Sequence, residues 1–149
     1  MKQLTLLLLV GILALVGCEG GTETTISSRC NSTGKSKVCT VTLVSIKGGV
    51  YRYDVKNDSF WPGTNAVEVT MQITVEKGTV QVGLEDPQRN KTIVGVEPGQ
   101  TAELKGVASV THIGSTRSFR VYFEPLGEEK RAENVQVEIR YDTKRTVIQ

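Results

Sequence analysis

Acyl-transfer catalysis needs a nucleophile oriented by a histidine and an acid, and this chain of 149 residues carries a single histidine, His112. It lies in Thr111-His112-Ile113-Gly114-Ser115, which reads as a strand end or exposed loop. Ser115 is close in sequence, but no Gly-x-Ser-x-Gly elbow surrounds it. Paired carboxylates could cleave glycosidic bonds. Glu68, Glu76, Glu103 and Glu138 alternate with apolar residues or sit at turns, which is the pattern of solubilising charge. Calcium takes several oxygen ligands, often from one loop. Two stretches offer them, Asp54, Asn57 and Asp58, and then Glu85, Asp86 and Asn90. Neither has EF-hand spacing, and Asp and Asn are also what turns use for their own hydrogen bonds. Gly48-Gly49 connects two apolar runs and opens no helix, so it is no phosphate cradle. No catalytic residue, metal site or cofactor is expected, and the chain is read as a non-enzyme.

Aromatic residues number eight. Phe60-Trp61-Pro62-Gly63 forms a loop cluster near Tyr51 and Tyr53 of the preceding apolar run. An exposed Trp beside Tyr can stack on a sugar ring or anchor a protein interface. Trp61, Tyr51 and Tyr53 are therefore the candidate ligand-binding residues. The competing reading is that Trp61 plugs the open end of a β domain.

The elements that must position these groups are strands. Val67, Val69, Met71, Ile73 and Val75 alternate with polar residues, the period of a half-buried strand. Val80, Val82 and Leu84 repeat the pattern after the turn Glu76-Lys77-Gly78. Phe119, Val121 and Phe123 form another such set, and Val135, Val137, Ile139 and Tyr141 the last. Weaker strands are expected at 39–46, 50–55, 92–96 and 101–110, separated by Gly, Pro, Asn and Asp turns. No window carries a helical apolar stripe of useful length. About seven to nine antiparallel strands in one domain predict an all-β sandwich, jelly-roll or immunoglobulin-like. Residues 78–87 and 96–100 resemble accessory jelly-roll and prepeptidase-C-type sandwiches of exported bacterial proteins, a likeness from which no function is carried over.

The N-terminus differs from all of this. Met1-Lys2-Gln3 carries one side-chain charge, and Leu4 to Val16 is apolar apart from Thr5. A helix of these 13 residues would span about 20 Å, short of a hydrocarbon core of about 30 Å. It fits a signal-peptide core better than a membrane span. The run ends in Leu15-Val16-Gly17-Cys18. This resembles the lipobox of bacterial lipoprotein precursors. The resemblance implies that residues 1–17 are a leader and that Cys18 is lipidated and becomes the first mature residue. It places the protein in the bacterial cell envelope, held to the membrane by its lipid. Glu19 rather than Asp after the Cys leans toward the outer membrane if the host has two. Residues 18–37, rich in Gly, Ser, Thr and charge, bury too little to order themselves. They are expected to be a flexible tether that includes the start of a disulfide loop, with the sandwich over 38–149.

With Cys18 lipidated, Cys30 and Cys39 remain in an exported chain, so a disulfide between them is expected. Free thiols and metal binding are the alternatives. Removing the leader takes the formal charge from +2 to +1, which gives no strongly basic face for nucleic acid. Three expectations follow. The first is an envelope lipoprotein whose non-catalytic sandwich binds or scaffolds a protein partner. The second is a glycan-binding module using Trp61, Tyr51 and Tyr53. The third is a hydrolase with an unrecognised carboxylate site.

Overall fold

The computed structural model describes residues 23–60 and 62–143. They form nine strands and no helix: β1 (Glu23–Thr33), β2 (Ser36–Lys47), β3 (Tyr51–Lys56), β4 (Ala66–Thr74), β5 (Thr79–Glu85), β6 (Lys91–Val96), β7 (Thr101–Ile113), β8 (Thr116–Leu126) and β9 (Arg131–Asp142). No helix among the described residues is long and apolar enough to cross a membrane. Cys18 lies outside the described residues, as do the rest of the leader and Trp61.

The pairing is nested. β5 pairs with β6, β4 with β7, β3 with β8 and β2 with β9, all antiparallel. That is one long hairpin rolled upon itself. Rolling brings β4 beside β9 and β5 beside β8, and these two contacts complete the sheets. The first sheet runs β1-β2-β9-β4-β7 and the second β3-β8-β5-β6. Of the two sandwich types expected, the nested order is that of the jelly roll. β7 serves both sheets. Its residues Thr101–Ser109 pair with β4, and Val110–Ile113 turn the corner to pair with β8.

The core lies between the sheets and is built from the alternating sets. Val69, Met71 and Ile73 of β4 and Val137 and Ile139 of β9 meet Val82 of β5 and Phe119, Val121 and Phe123 of β8, all buried. Each such side chain contributes about 1.5–3 kcal/mol by leaving water. One end is closed by Phe60 from the β3–β4 connection. Its ring lies 6.4 Å from that of Phe119 and 5.8 Å from that of Tyr141. Asn57 shapes this connection, since its Oδ1 accepts a hydrogen bond from Ser59 N at 2.8 Å. Gly78 is required at the β4–β5 turn. It holds φ +73°, and an added Cβ would lie 2.1 Å from the carbonyl oxygen of Arg131.

The composition of residues 18–37 predicts a flexible tether, yet Glu23–Thr33 is strand β1 and Ser36 and Lys37 already belong to β2. β1 pairs with β2 along its whole length, around the turn at Gly34-Lys35. Its order comes from backbone hydrogen bonds and a disulfide, neither of which leaves an apolar pattern. Ile26 is the one large apolar side chain that it packs against the core.

Candidate functional site

Cys30 and Cys39 form a disulfide. They are opposite each other in the β1–β2 register, with Cα atoms 4.0 Å apart. Counting from the turn pair Thr33↔Ser36, every second pair is non-hydrogen-bonded, and Cys30↔Cys39 falls on one of these close positions.

Tyr51 and Tyr53 do not make an exposed platform. They share the inward parity of Val55 on β3 and pack partly buried against the core. The Tyr51 ring lies 6.4 Å from that of Phe123. Burial, then the neighbouring Tyr53 and Asp54, push its phenol up from its ordinary value. Phe60, the neighbour of Trp61, is the aromatic residue seen to plug the end of the sandwich.

Most of the loop groups weighed for calcium have other partners. Asp86 accepts from Asn90 N and Asn90 Nδ2, each at 2.9 Å. The Asn90 side-chain bond, opposed by desolvation and helped by backbone N–H groups of Asn90 and Gln88, holds the Asp86 carboxyl below its ordinary value. Asp54 is held by Arg120, and Asn57 by Ser59 N and the Tyr141 hydroxyl. Among the described residues no cluster of three or more His, Cys, Asp or Glu could hold a metal. His112 is exposed at the end of β7, with Nε2 3.0 Å from the carbonyl oxygen of Thr64.

The feature with binding geometry is the outer face of the second sheet. The alternation that buries Phe119, Val121 and Phe123 turns Arg120, Tyr122 and Glu124 outward. Register then sets neighbours beside them. Ile93 of β6, Gly83 of β5, Tyr122 of β8 and Arg52 of β3 form one row across the sheet. In the next row, Arg120 donates from Nε to Asp54 Oδ1 at 2.6 Å and from Nη2 to Oδ2 at 3.1 Å. This bidentate bond, partly opposed by desolvation, raises the Arg120 guanidinium above its ordinary value. It fixes a planar cation beside the tyrosine.

Two hollows adjoin there. One, of about 360 Å³, is lined by Glu85, Asp86, Arg89, Thr111, Arg120 and Tyr122. The other, of about 100 Å³, is lined by Val50, Gln81, Gly83, Lys91, Ile93 and Tyr122. Tyr122 is common to both. The face therefore offers one ring and several planar or charged hydrogen-bonding groups, a set suited to binding a polyhydroxylated ligand. Sequence reasoning missed Tyr122. Its signal was the parity of Phe119, Val121 and Phe123, which sends the tyrosine between them to the opposite face.

No family model matches the sequence, and no curated protein matches it. Solved structures are similar at low level. The family 11 carbohydrate-binding module from Clostridium thermocellum in complex with a β-1,3-1,4-mixed-linked tetrasaccharide has a TM-score of 0.34 at 8% identity, over 85% of this chain and 89% of that one. The CBM22-1 xylan-binding domain from Paenibacillus barcinonensis Xyn10C has a TM-score of 0.36 at 16% identity, over 83% of this chain and 96% of that one. Recombinant oxalate oxidase in complex with glycolate reaches 0.40 at 13% identity over 84% of this chain. The match spans 54% of the oxalate oxidase, and 64% of the similarly related cysteine peptidase Peruvianin-I from Thevetia peruviana latex. Likeness at this level carries no argument about the site.

Proposed function

We propose that this protein is a lipid-anchored envelope protein whose jelly-roll domain binds saccharide, without catalysis, on the outer face of its second sheet. The observation that carries the binding reading is the Tyr122 ring standing between two hollows. An aromatic face takes the apolar side of a sugar ring. The groups around it, Gln81, Glu85, Arg89 and Arg120, supply donors and acceptors at the rim. The glycan reading thus moves from Tyr51 and Tyr53, which turn inward, to Tyr122, while Trp61 lies outside the described residues. A protein partner, the first expectation, finds less support here. The centre of a protein interface is depleted of charge, whereas this face carries Arg52, Asp54, Arg120, Glu124, Glu85 and Lys91. The anchor reading rests on Leu15-Val16-Gly17-Cys18.

The test is affinity electrophoresis through gels holding soluble polysaccharides, comparing the parent with Tyr122→Ala. At least one glycan should retard the parent, and the variant should bind it about tenfold more weakly, the equivalent of about 1.4 kcal/mol. A parent that no polysaccharide retards, or a variant retarded as strongly as the parent, sinks the reading.

A further inference from the structure

The smaller hollow says which kind of sugar this face takes, on the reading that the face is a saccharide site. Its floor is Gly83. Val82 and Leu84 on either side point into the core, so the missing side chain of Gly83 leaves a notch on the outer face. Ile93 and Tyr122, the direct neighbours of Gly83 in the two adjoining strands, wall the notch on both sides. Val50 adds a third apolar wall. Val50 and Ile93 are 37% and 48% exposed, unusual for large aliphatic side chains here. Gln81 and Glu124, opposite each other in the register, stand at one end of the notch, and Lys91, opposite Glu85, at the other.

The volume of about 100 Å³ compares with about 30 Å³ for one water in the liquid, which is room for a group of three or four non-hydrogen atoms. A sugar hydroxyl has one such atom and would leave the apolar walls wet. An acetamido group has four. Its methyl fits the aliphatic walls, its carbonyl oxygen needs a donor, and its N–H needs an acceptor. The Gln81 amide supplies both roles, and Lys91 is a second donor. The larger hollow, across Tyr122, is ionic and suits the next, more polar unit of the same chain.

We propose that the notch over Gly83 is an acetamido pocket and that the site selects glycans containing 2-acetamido sugars. A site built to pair with a group rejects the analogue lacking it, because its polar rim is then left unpaired. An added Cβ at Gly83 would lie 3.4 Å from Ile93 Cγ1 and 3.4 Å from the carbonyl oxygen of Thr92, which is ordinary contact. The strand therefore admits a Cβ at Gly83, and the two further methyls of Gly83→Val would project into the notch.

The experiment is isothermal titration of the full chain in detergent with two neutral oligomers, chitotetraose and cellotetraose. They differ at this position in bearing an acetamido group or a hydroxyl. Chitotetraose should bind at least tenfold more tightly, and Gly83→Val should abolish that preference with its thermal midpoint little changed. If Gly83→Val fails to fold, Ile93→Ser, which removes one apolar wall at an exposed position, should reduce the preference instead. Equal affinity for both oligomers overturns the acetamido pocket and leaves the saccharide reading standing. A preference that persists in folded Gly83→Val, or in Ile93→Ser where that variant is the one used, overturns the assignment to this notch. If neither oligomer binds and no polysaccharide retards the parent, both proposals fall.

Discussion

Tyr141 links packing to pH at the level of one residue. Its ring is buried with an edge-to-face contact to Phe119 at 4.9 Å, and its hydroxyl accepts from Asn57 Nδ2 at 3.0 Å. Burial raises the phenol above its ordinary value, opposed by the Asn57 bond and helped by Tyr53. The unfolded chain then ionises this phenol at about pH 10, before the folded one does. A group with a raised folded pKa gives up its stabilising contribution as pH climbs through that window, because the unfolded state binds fewer protons there. Tyr141→Phe removes the ionisation and keeps the ring. At neutral pH it should cost about 0.5–1.5 kcal/mol for the lost hydrogen bond. Thermal melts should show that this deficit narrows above about pH 10, as the parent loses stability faster than the variant. Tyr51, also raised, remains in both proteins and so cancels in the comparison. Parallel curves for parent and variant would refute the account.

β1 behaves as an element partly separate from the rolled core, to which its partner β2 belongs. Ser27 to Cys30 are exposed on the outermost strand of the first sheet, and Ile26 is the one apolar side chain of β1 packed against the core. The disulfide therefore stands in for packing. Closing a loop of about ten residues stabilises by about 2.7 kcal/mol in the chain-entropy model, equal to about a hundredfold in a local opening equilibrium. Reduction should speed hydrogen exchange in Ser27–Ser36 by up to that factor, while amides of β4 and β9 keep their protection. Uniform acceleration across all strands would mean that β1 is integral to global stability. The same physics explains what could be read in advance. Strands half-buried against a second sheet leave a period of two, so β4, β5, β8 and β9 were visible in their apolar sets. β1 has no such set, and Glu-Thr-Thr-Ile-Ser-Ser reads as a tether although it is paired throughout. Parity also bears on the site. Tyr51 and Tyr53 alternate with Arg52, Asp54 and Lys56 and share the phase of buried Val55, which turns them inward. Tyr122 falls on the outward phase of β8 by the same rule. What parity cannot supply is the neighbourhood of Tyr122. Gly83, Ile93 and Asp54 reach it only through the register of three other strands, a long-range property absent from any local window.

For the whole molecule, the strand that replaced the tether changes how close the domain lies to a bilayer. A flexible segment over 18–37 would let the domain range widely. With β1 starting at Glu23, five residue steps separate it from Cys18, and even fully extended chain covers at most about 3.6 Å per step, roughly 18 Å in all. If Cys18 carries the lipid, the start of β1 lies within that distance of the headgroups. The domain's saccharide face then stays within one domain length of that point and meets glycan no farther out than that. Neutron reflectometry of the lipidated protein on a supported bilayer should find a water layer no thicker than about 18 Å between bilayer and domain. Inserting ten Gly/Ser residues between Cys18 and Glu23 should thicken that layer without altering the thermal midpoint, since no strand is touched. Cys18→Ser should no longer label with fatty acid and should keep its leader uncut. A parent domain standing farther off than the covalent reach allows, or a Cys18→Ser protein that still labels with fatty acid, would show that the attachment lies elsewhere in the chain.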